Sequence, residues 1–185
     1  MGSRLRNIET FAIAVRTGEI FIYRYHGNSI EKVMEAEPVP GLLYDVSWSL
    51  DGKCLALATG YGLDVFDRGK RKVIESNIGA SYLESAVVDW CSDGVRIAIG
   101  GKNFLILAEF RNGELREVWA MNKSDFERAL GIEIAFWYTL SIVCTNGKLY
   151  AAGAFGRTQY GPRPMLIVAE VSKEKKFRIY TYREI

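Results

Sequence analysis

The chain has 185 residues, 49% of them hydrophobic and 12% aromatic, enough for a packed core and far from the composition of disordered chains. Its 24 Lys plus Arg stand against 22 Asp plus Glu, a formal charge of +2; bulk charge therefore favours no polyanionic partner. The apolar runs are strand-sized, so a membrane span, which needs roughly 18 uncharged apolar residues, is not expected. The basic segment 1–7 leads into no long apolar run, which argues against a signal peptide, and a cytoplasmic chain is expected. Cys54, Cys91 and Cys144 show no CxxC spacing. They are expected to be small buried hydrophobes in a reducing cytosol, forming neither a disulfide framework nor a zinc site.

In chain order, the first repeat has strands at 11–15, 20–25 and 29–34, the last two joined by a turn at His26-Gly27-Asn28. Only 3–10 precedes them, so an inner strand is not evident and this repeat looks one strand short. The second repeat opens with Trp48-Ser49-Leu50-Asp51-Gly52-Lys53, and Asp-Gly tolerates the positive φ of a tight hairpin tip. Its strands are expected at 44–49, 53–59, 63–67 and 71–75, called a to d. The third repeat carries Trp90-Cys91-Ser92-Asp93-Gly94-Val95, 42 residues after the first such copy. Its strands are expected at 86–90, 95–99, 104–110 and 114–120.

A helix is expected at 123–130, with Asn122 or Ser124 as its N-cap. The fourth repeat carries the weaker copy Val143-Cys144-Thr145-Asn146-Gly147-Lys148. Its strand a is 132–136 or 141–144, with an insertion between the two runs. A second insertion, 155–164, lengthens its b–c connection, and strands at 166–171 and 176–182 complete it. Four strands in about 42 residues leave only hairpin-length connections, hence an antiparallel meander. The expected fold is all-β, one domain of four units at about 4–41, 42–80, 81–122 and 130–185.

A period in the low forties with four strands per unit is the pattern of a propeller blade. The run from Tyr44 to Asp67 closely resembles a WD-repeat blade. It has an apolar residue, Trp48 and Ser49, then Asp51-Gly52-Lys53, small residues on strand b, and Phe66-Asp67 where that family has Trp-Asp. The run from Val88 to Gly101, with Trp90, Asp93 and Gly94, resembles the same pattern over strands a and b. The family's Gly-His dipeptide is absent, since the one histidine, His26, lies in a c–d turn. The resemblance therefore implies degenerate blades, without the buried Asp–His–Ser–Trp network and held mainly by apolar packing. Ala56, Ala58, Ala98, Gly100, Ala151 and Ala152 suit the crowded zone between blades.

WD-repeat propellers usually close with seven or eight blades, so four imply a partial ring with two apolar blade faces needing cover. Two copies could complete an eight-bladed ring, a different polypeptide could supply blades or a strand by edge addition, or four blades could pack alone or belong to a longer chain. The expected function is a non-catalytic protein-protein interaction scaffold, completed by self-association or by a partner chain. Catalysis lacks a nucleophile elbow and a second histidine, no cofactor is implied, and the Asp-Gly turns lack calcium-loop spacing. Gly100-Gly101-Lys102 reads as a hairpin, being without the context of a phosphate loop.

Two surfaces are candidates for binding. The insertion places Arg157, Gln159, Tyr160 and Arg163 on a stiffened loop, residue types enriched at interface hot spots. The turn Lys70-Arg71-Lys72 could meet phosphate or acidic side chains, which opens an alternative reading as a nucleic-acid or anionic-ligand module. The run Phe136-Trp137-Tyr138 is either core of the fourth unit or a docking patch.

Overall fold

The computed structural model describes residues 2–4, 10–79, 86–157, 160–170 and 177–181. Its strands fall into four separate four-stranded antiparallel sheets, each with its strands in sequential order. Blade one holds β1 (Gly2–Arg4), β2 (Thr10–Ala14), β3 (Ile20–His26) and β4 (Ser29–Ala36). Blade two holds β5 (Leu43–Trp48), β6 (Cys54–Thr59), β7 (Gly62–Asp67) and β8 (Lys72–Ile74). Blade three holds β9 (Ala86–Trp90), β10 (Arg96–Gly101), β11 (Phe104–Arg111) and β12 (Glu114–Asn122). Blade four holds β13 (Phe136–Thr145), β14 (Lys148–Arg157), β15 (Tyr160–Glu170) and β16 (Phe177–Thr181).

Each blade has a leading face, turned to the blade that follows, and a trailing face, turned to the blade before. Alternation along strand b separates the two, because successive strand residues point to opposite sides. In blade two Leu55 and Leu57 pack back into the junction with blade one, against Ala12, Ile20 and Ile22. Ala56 and Ala58 face forward and meet Val88, Trp90, Ile97 and Ile99 of blade three. Ala98 and Leu105 of blade three then meet Trp137, Ile142, Leu149 and Ala151 of blade four. All three junctions hold layers of buried apolar side chains, and each fully buried Leu or Ile stabilises them by ~1.5–3 kcal/mol. The forward positions are small because strand a of the next blade lies close. A Cβ on Gly100 would sit 2.8 Å from the Thr139 Cβ and Cγ2.

Polar bonds also cross the junctions. The Ser47 hydroxyl accepts the Trp90 N–H at 3.0 Å, Asp45 accepts the Val88 N–H at 3.0 Å, and Asp89 accepts the Cys144 N–H at 2.8 Å. Asn103, at the b–c turn of blade three, accepts the Trp137 N–H at 2.9 Å and donates its own N–H to the Trp137 carbonyl at 2.9 Å. These bonds supplement the mainly apolar packing that was expected.

Four expectations are corrected. Blade one has an inner strand: β1 pairs with β2, Ser3 opposite Ala12. Strand a of blade four is Phe136–Thr145, continuous with its register shifted between Thr139 and Ser141; it contains the expected run 141–144, while 132–135 precede it and no insertion interrupts it. The expected second insertion is mostly hairpin. β14 and β15 continue pairing through Phe155–Arg163 and Arg157–Tyr160, as Cα partners. Finally, Cys91 and Cys144 form a disulfide, Cα atoms 4.5 Å apart, which ties blade three to blade four; only Cys54 is free.

The helix α1 (Lys123–Leu130) lies where expected. Asn122 caps it in a reciprocal box with Asp125, Gly131 ends it in the left-handed conformation, and its one buried side chain is Phe126. Phe126 stacks on Trp137 at 5.0 Å, which makes Trp137 core, fully buried.

Candidate functional site

The repeat residues are structural. Trp48, Phe66 and Trp90 are buried in the junction layers, and Trp90 meets Phe110 edge-on at 5.8 Å. Asp51 accepts the Ser49 hydroxyl at 2.8 Å and the Lys53 N–H at 3.1 Å, closing the a–b turn around Gly52. Asp93 does the same beside Gly94, accepting the Val95 and Arg96 N–H groups and the Arg96 guanidinium. These bonds hold the Asp51 and Asp93 carboxyls below their ordinary range against the opposing effect of partial burial. Asn146-Gly147 is a true two-residue tip, both φ positive, the geometry a tight hairpin demands. Asp67 accepts the Lys70 N–H at 3.1 Å.

The basic candidates do not converge. Lys70, Arg71 and Lys72 are exposed at the c–d end of blade two, with the Lys70 ammonium 3.3 Å from Asp67. Arg157 and Tyr160 face each other across the b–c hairpin of blade four, at the other end of a sheet, and Arg163 sits opposite Phe155 on β15. Arg163 is exposed; Gln159 lies outside the described residues. Among the described residues no cluster of His, Cys, Asp and Glu is arranged to hold a metal, and no helix is long and apolar enough to cross a membrane.

Two sheet faces are left uncovered by the described residues. The leading face of blade four presents Val143, Tyr150 and Leu166, with 37–49% of their surface exposed. Val143 pairs with Tyr150 and Ala152 with Leu166, so the patch is contiguous across three strands. The trailing face of blade one presents Ile13 (40% exposed) and the stacked pair Phe11 and Tyr23, ring centroids 5.4 Å apart. In position, Phe11 and Ile13 on β2 match Leu55 and Leu57 on β6, while Tyr150 and Ala152 on β14 match the forward Ala56 and Ala58. Among the described residues, no strand of blade four lies in extended contact with blade one.

The b–c end of blade two carries a polar network that the sequence motifs did not announce. Asp64 is buried on β7, accepting the Ser76 N–H at 2.8 Å and the Thr59 hydroxyl at 3.2 Å. Ser76 in turn donates to the Leu63 carbonyl and accepts the Ile78 N–H at 3.2 Å. Burial raises the Asp64 carboxyl above its ordinary range, opposed by these bonds and reinforced by nearby Glu75. Pro40, Tyr61, Asp64, Glu75, Ser76 and Asn77 line a cavity of about 460 Å³ at this end. Tyr61 leans over Gly41, whose Cβ, were there one, would lie 2.6 Å from the ring. The only sequence signal for this network was the threonine and aspartate flanking a Gly-Tyr-Gly turn.

No protein-family model matches the sequence, and no curated protein matches it significantly. Solved structures do. The crystal structure of Chaetomium thermophilum Sqt1 bound to the N-terminus of the ribosomal protein L10 superposes with a TM-score of 0.64 at 15% identity, over 92% of this chain and 45% of that one. The WD40 repeats of RRP9 give 0.67 at 8% identity, over 96% and 52%. The β-propeller domain of Myceliophteria thermophila Cps50 (Swd1) gives 0.68 at 12% identity, over 92% and 55%. The chain thus spans about half the length of the propellers it matches. Its fold is that of four consecutive blades of a WD-repeat β-propeller.

Proposed function

We propose that this chain is a non-catalytic protein-protein interaction scaffold whose two uncovered blade faces are completed by another polypeptide, a second copy of itself fitting them best. The observation that carries this is the repetition of the junction pattern at the two ends. The open face of blade four has small or flat forward residues, Tyr150 and Ala152, flanked by Leu166. The open face of blade one offers Phe11 and Ile13, in the position of residues buried at every internal junction. Apolar sheet faces of this kind are seldom left to water. Head-to-tail packing of two four-bladed arcs about a twofold axis would bury both. A different chain bearing a matching blade is the other occupant.

The solved neighbours support an interaction role in general terms, since the Sqt1 structure is of a complex with part of a ribosomal protein. The reading as a nucleic-acid or anion-binding module is weaker, because the basic candidates sit at opposite ends of their sheets. The cytoplasmic placement now faces the Cys91–Cys144 bond, because disulfides persist mainly in oxidising compartments; alkylation of the native chain without reductant, followed by mass spectrometry, decides it. The proposal itself is tested by introducing Leu166→Asp. The substitution is expected to leave a folded chain and to abolish self-association, and unchanged association would refute the assigned face.

A further inference from the structure

We infer that the cavity at the b–c end of blade two is a receptor for a basic side chain, a guanidinium or ammonium, presented by a peptide segment of a partner protein. Three independent observations support this. The first is space: about 460 Å³, within the roughly 300–1,000 Å³ range of ligand sites. The second is chemistry. Its floor holds Asp64, 5% exposed, with only neutral donors bound to it and no basic side chain paired with it among the described residues. A buried carboxylate without a counter-cation is costly, and an incoming cation relieves that cost. Glu75 at the edge adds a second carboxylate, Asn77 an amide, and Tyr61, 59% exposed, an aromatic ring of the kind that holds cations.

The third observation is charge segregation along the sequence. Among the described residues, the connections at this end, 36–42, 59–64 and 74–79, contain Glu37, Asp64 and Glu75 and no Lys or Arg. The turns at the other end of the same sheet carry Lys53, Arg68, Lys70, Arg71 and Lys72. Blade two is therefore acidic at one end and basic at the other, although blade one brings Arg16 to the acidic end, its carbonyl accepting the Leu43 N–H at 3.0 Å. The cavity's walls come from three connections converging on Asp64, and the Ser76 and Thr59 bonds fix that carboxylate in place before any ligand arrives. That preorganisation lowers the ordering cost of binding. The site takes its biological meaning from the scaffold reading but does not depend on how the ring is completed, since it lies wholly on blade two and the segments beside it.

The test is a calorimetric titration with short Gly/Ser peptides carrying one central Arg, Lys, citrulline or Ala, with spermidine as a separate arm. The Arg and Lys peptides are expected to bind, and replacing Arg by neutral citrulline is expected to weaken binding about tenfold or more. Glu75→Gln, an exposed change, should weaken the Arg peptide about two- to fivefold, and Asp64→Asn should remove binding. Lys70→Ala, at the basic end, should leave it unchanged. Should Asp64→Asn fail to fold, Glu75→Gln and Tyr61→Ser carry the test. Equal binding of the Arg and citrulline peptides, indifference to Glu75→Gln and Tyr61→Ser, or binding of spermidine alone would overturn the assignment. The mass of the chain in solution reads a different surface, so failure here leaves the completion of the ring standing, and the reverse.

Discussion

The three internal junctions and the two end faces are built from equivalent strand positions, yet only the junctions are buried. At the junction of blades three and four, Trp137 is fully buried and Ala151 and Ile167 lie in the same layer. On the other side of the same β14 strand, Tyr150 and Ala152 face outward. One sheet thus carries a finished interface and an unfinished one, separated by a single-residue alternation. Both are largely apolar, and what distinguishes them is the presence of a neighbour. In a propeller the blade-blade layer is the unit of cohesion, and an end face is a layer short of half its atoms.

The comparison is broken most sharply by equal truncations on its two sides. Trp137→Ala should cost about 3–5 kcal/mol in denaturant unfolding, whereas Leu166→Ala on the open face should cost under about 0.5 kcal/mol in the monomer. Similar losses would mean the end face is already covered within the chain. Next in size, reduction of the Cys91–Cys144 bond, or Cys91→Ser, should cost about 2–4 kcal/mol, because the bond closes a long loop across a junction; unfolding with and without reductant measures it. Gly100→Ala should cost about 1–3 kcal/mol by forcing Cβ against Thr139, while Ala152→Val, on the corresponding open position, should be near neutral until a partner is added.

The smallest effect is in pH dependence. Asp45 sits half-buried at the junction of blades two and three, and burial raises its carboxyl above the ordinary value of 3.8, against the Val88 and Val46 bonds. The folded state therefore holds this proton to higher pH than the unfolded state. Stability is lost as pH rises from the ordinary value through the raised one. Asp64 behaves alike. Asp93, held low, contributes in the opposite sense, its stabilisation lost as pH falls through its folded value. Asp45→Asn should flatten the decline above the ordinary value and leave the acid limb unchanged, as read from unfolding midpoints across pH.

Much of the architecture was legible because turns and periodicity are local. Asp51-Gly52, Asp93-Gly94 and Asn146-Gly147 fixed three hairpins, and Asn122 and Gly131 bracket the helix by capping alone. What was hidden depends on three-dimensional neighbours. Cys91 and Cys144 stand at the same offset, two residues before Asp93 and Asn146, where Ser49 stands before Asp51. Inner strands of adjacent blades lie side by side, so equivalent positions approach each other, and that offset was the missed signal for the bond. β1 escaped because three residues carry no periodicity. The hairpin through Phe155–Arg163 looked like a loop because Gly156, Gly161, Pro162 and Pro164 are turn formers, yet pairing overrides them. The buried Asp64 network was invisible for want of a recognised motif, since Thr59, Asp64 and Ser76 meet only when strands b and c and the d–a connection close.

The account rests on the claim that blade one's trailing face and blade four's leading face are two halves of a junction. Light scattering coupled to size exclusion, on the purified chain at micromolar concentration, tests this most directly. The predicted result is a species of twice the 20.8 kDa chain mass, returned to a single chain by Leu166→Asp. A well-folded, strictly monomeric species that takes up no other chain from solution would contradict it.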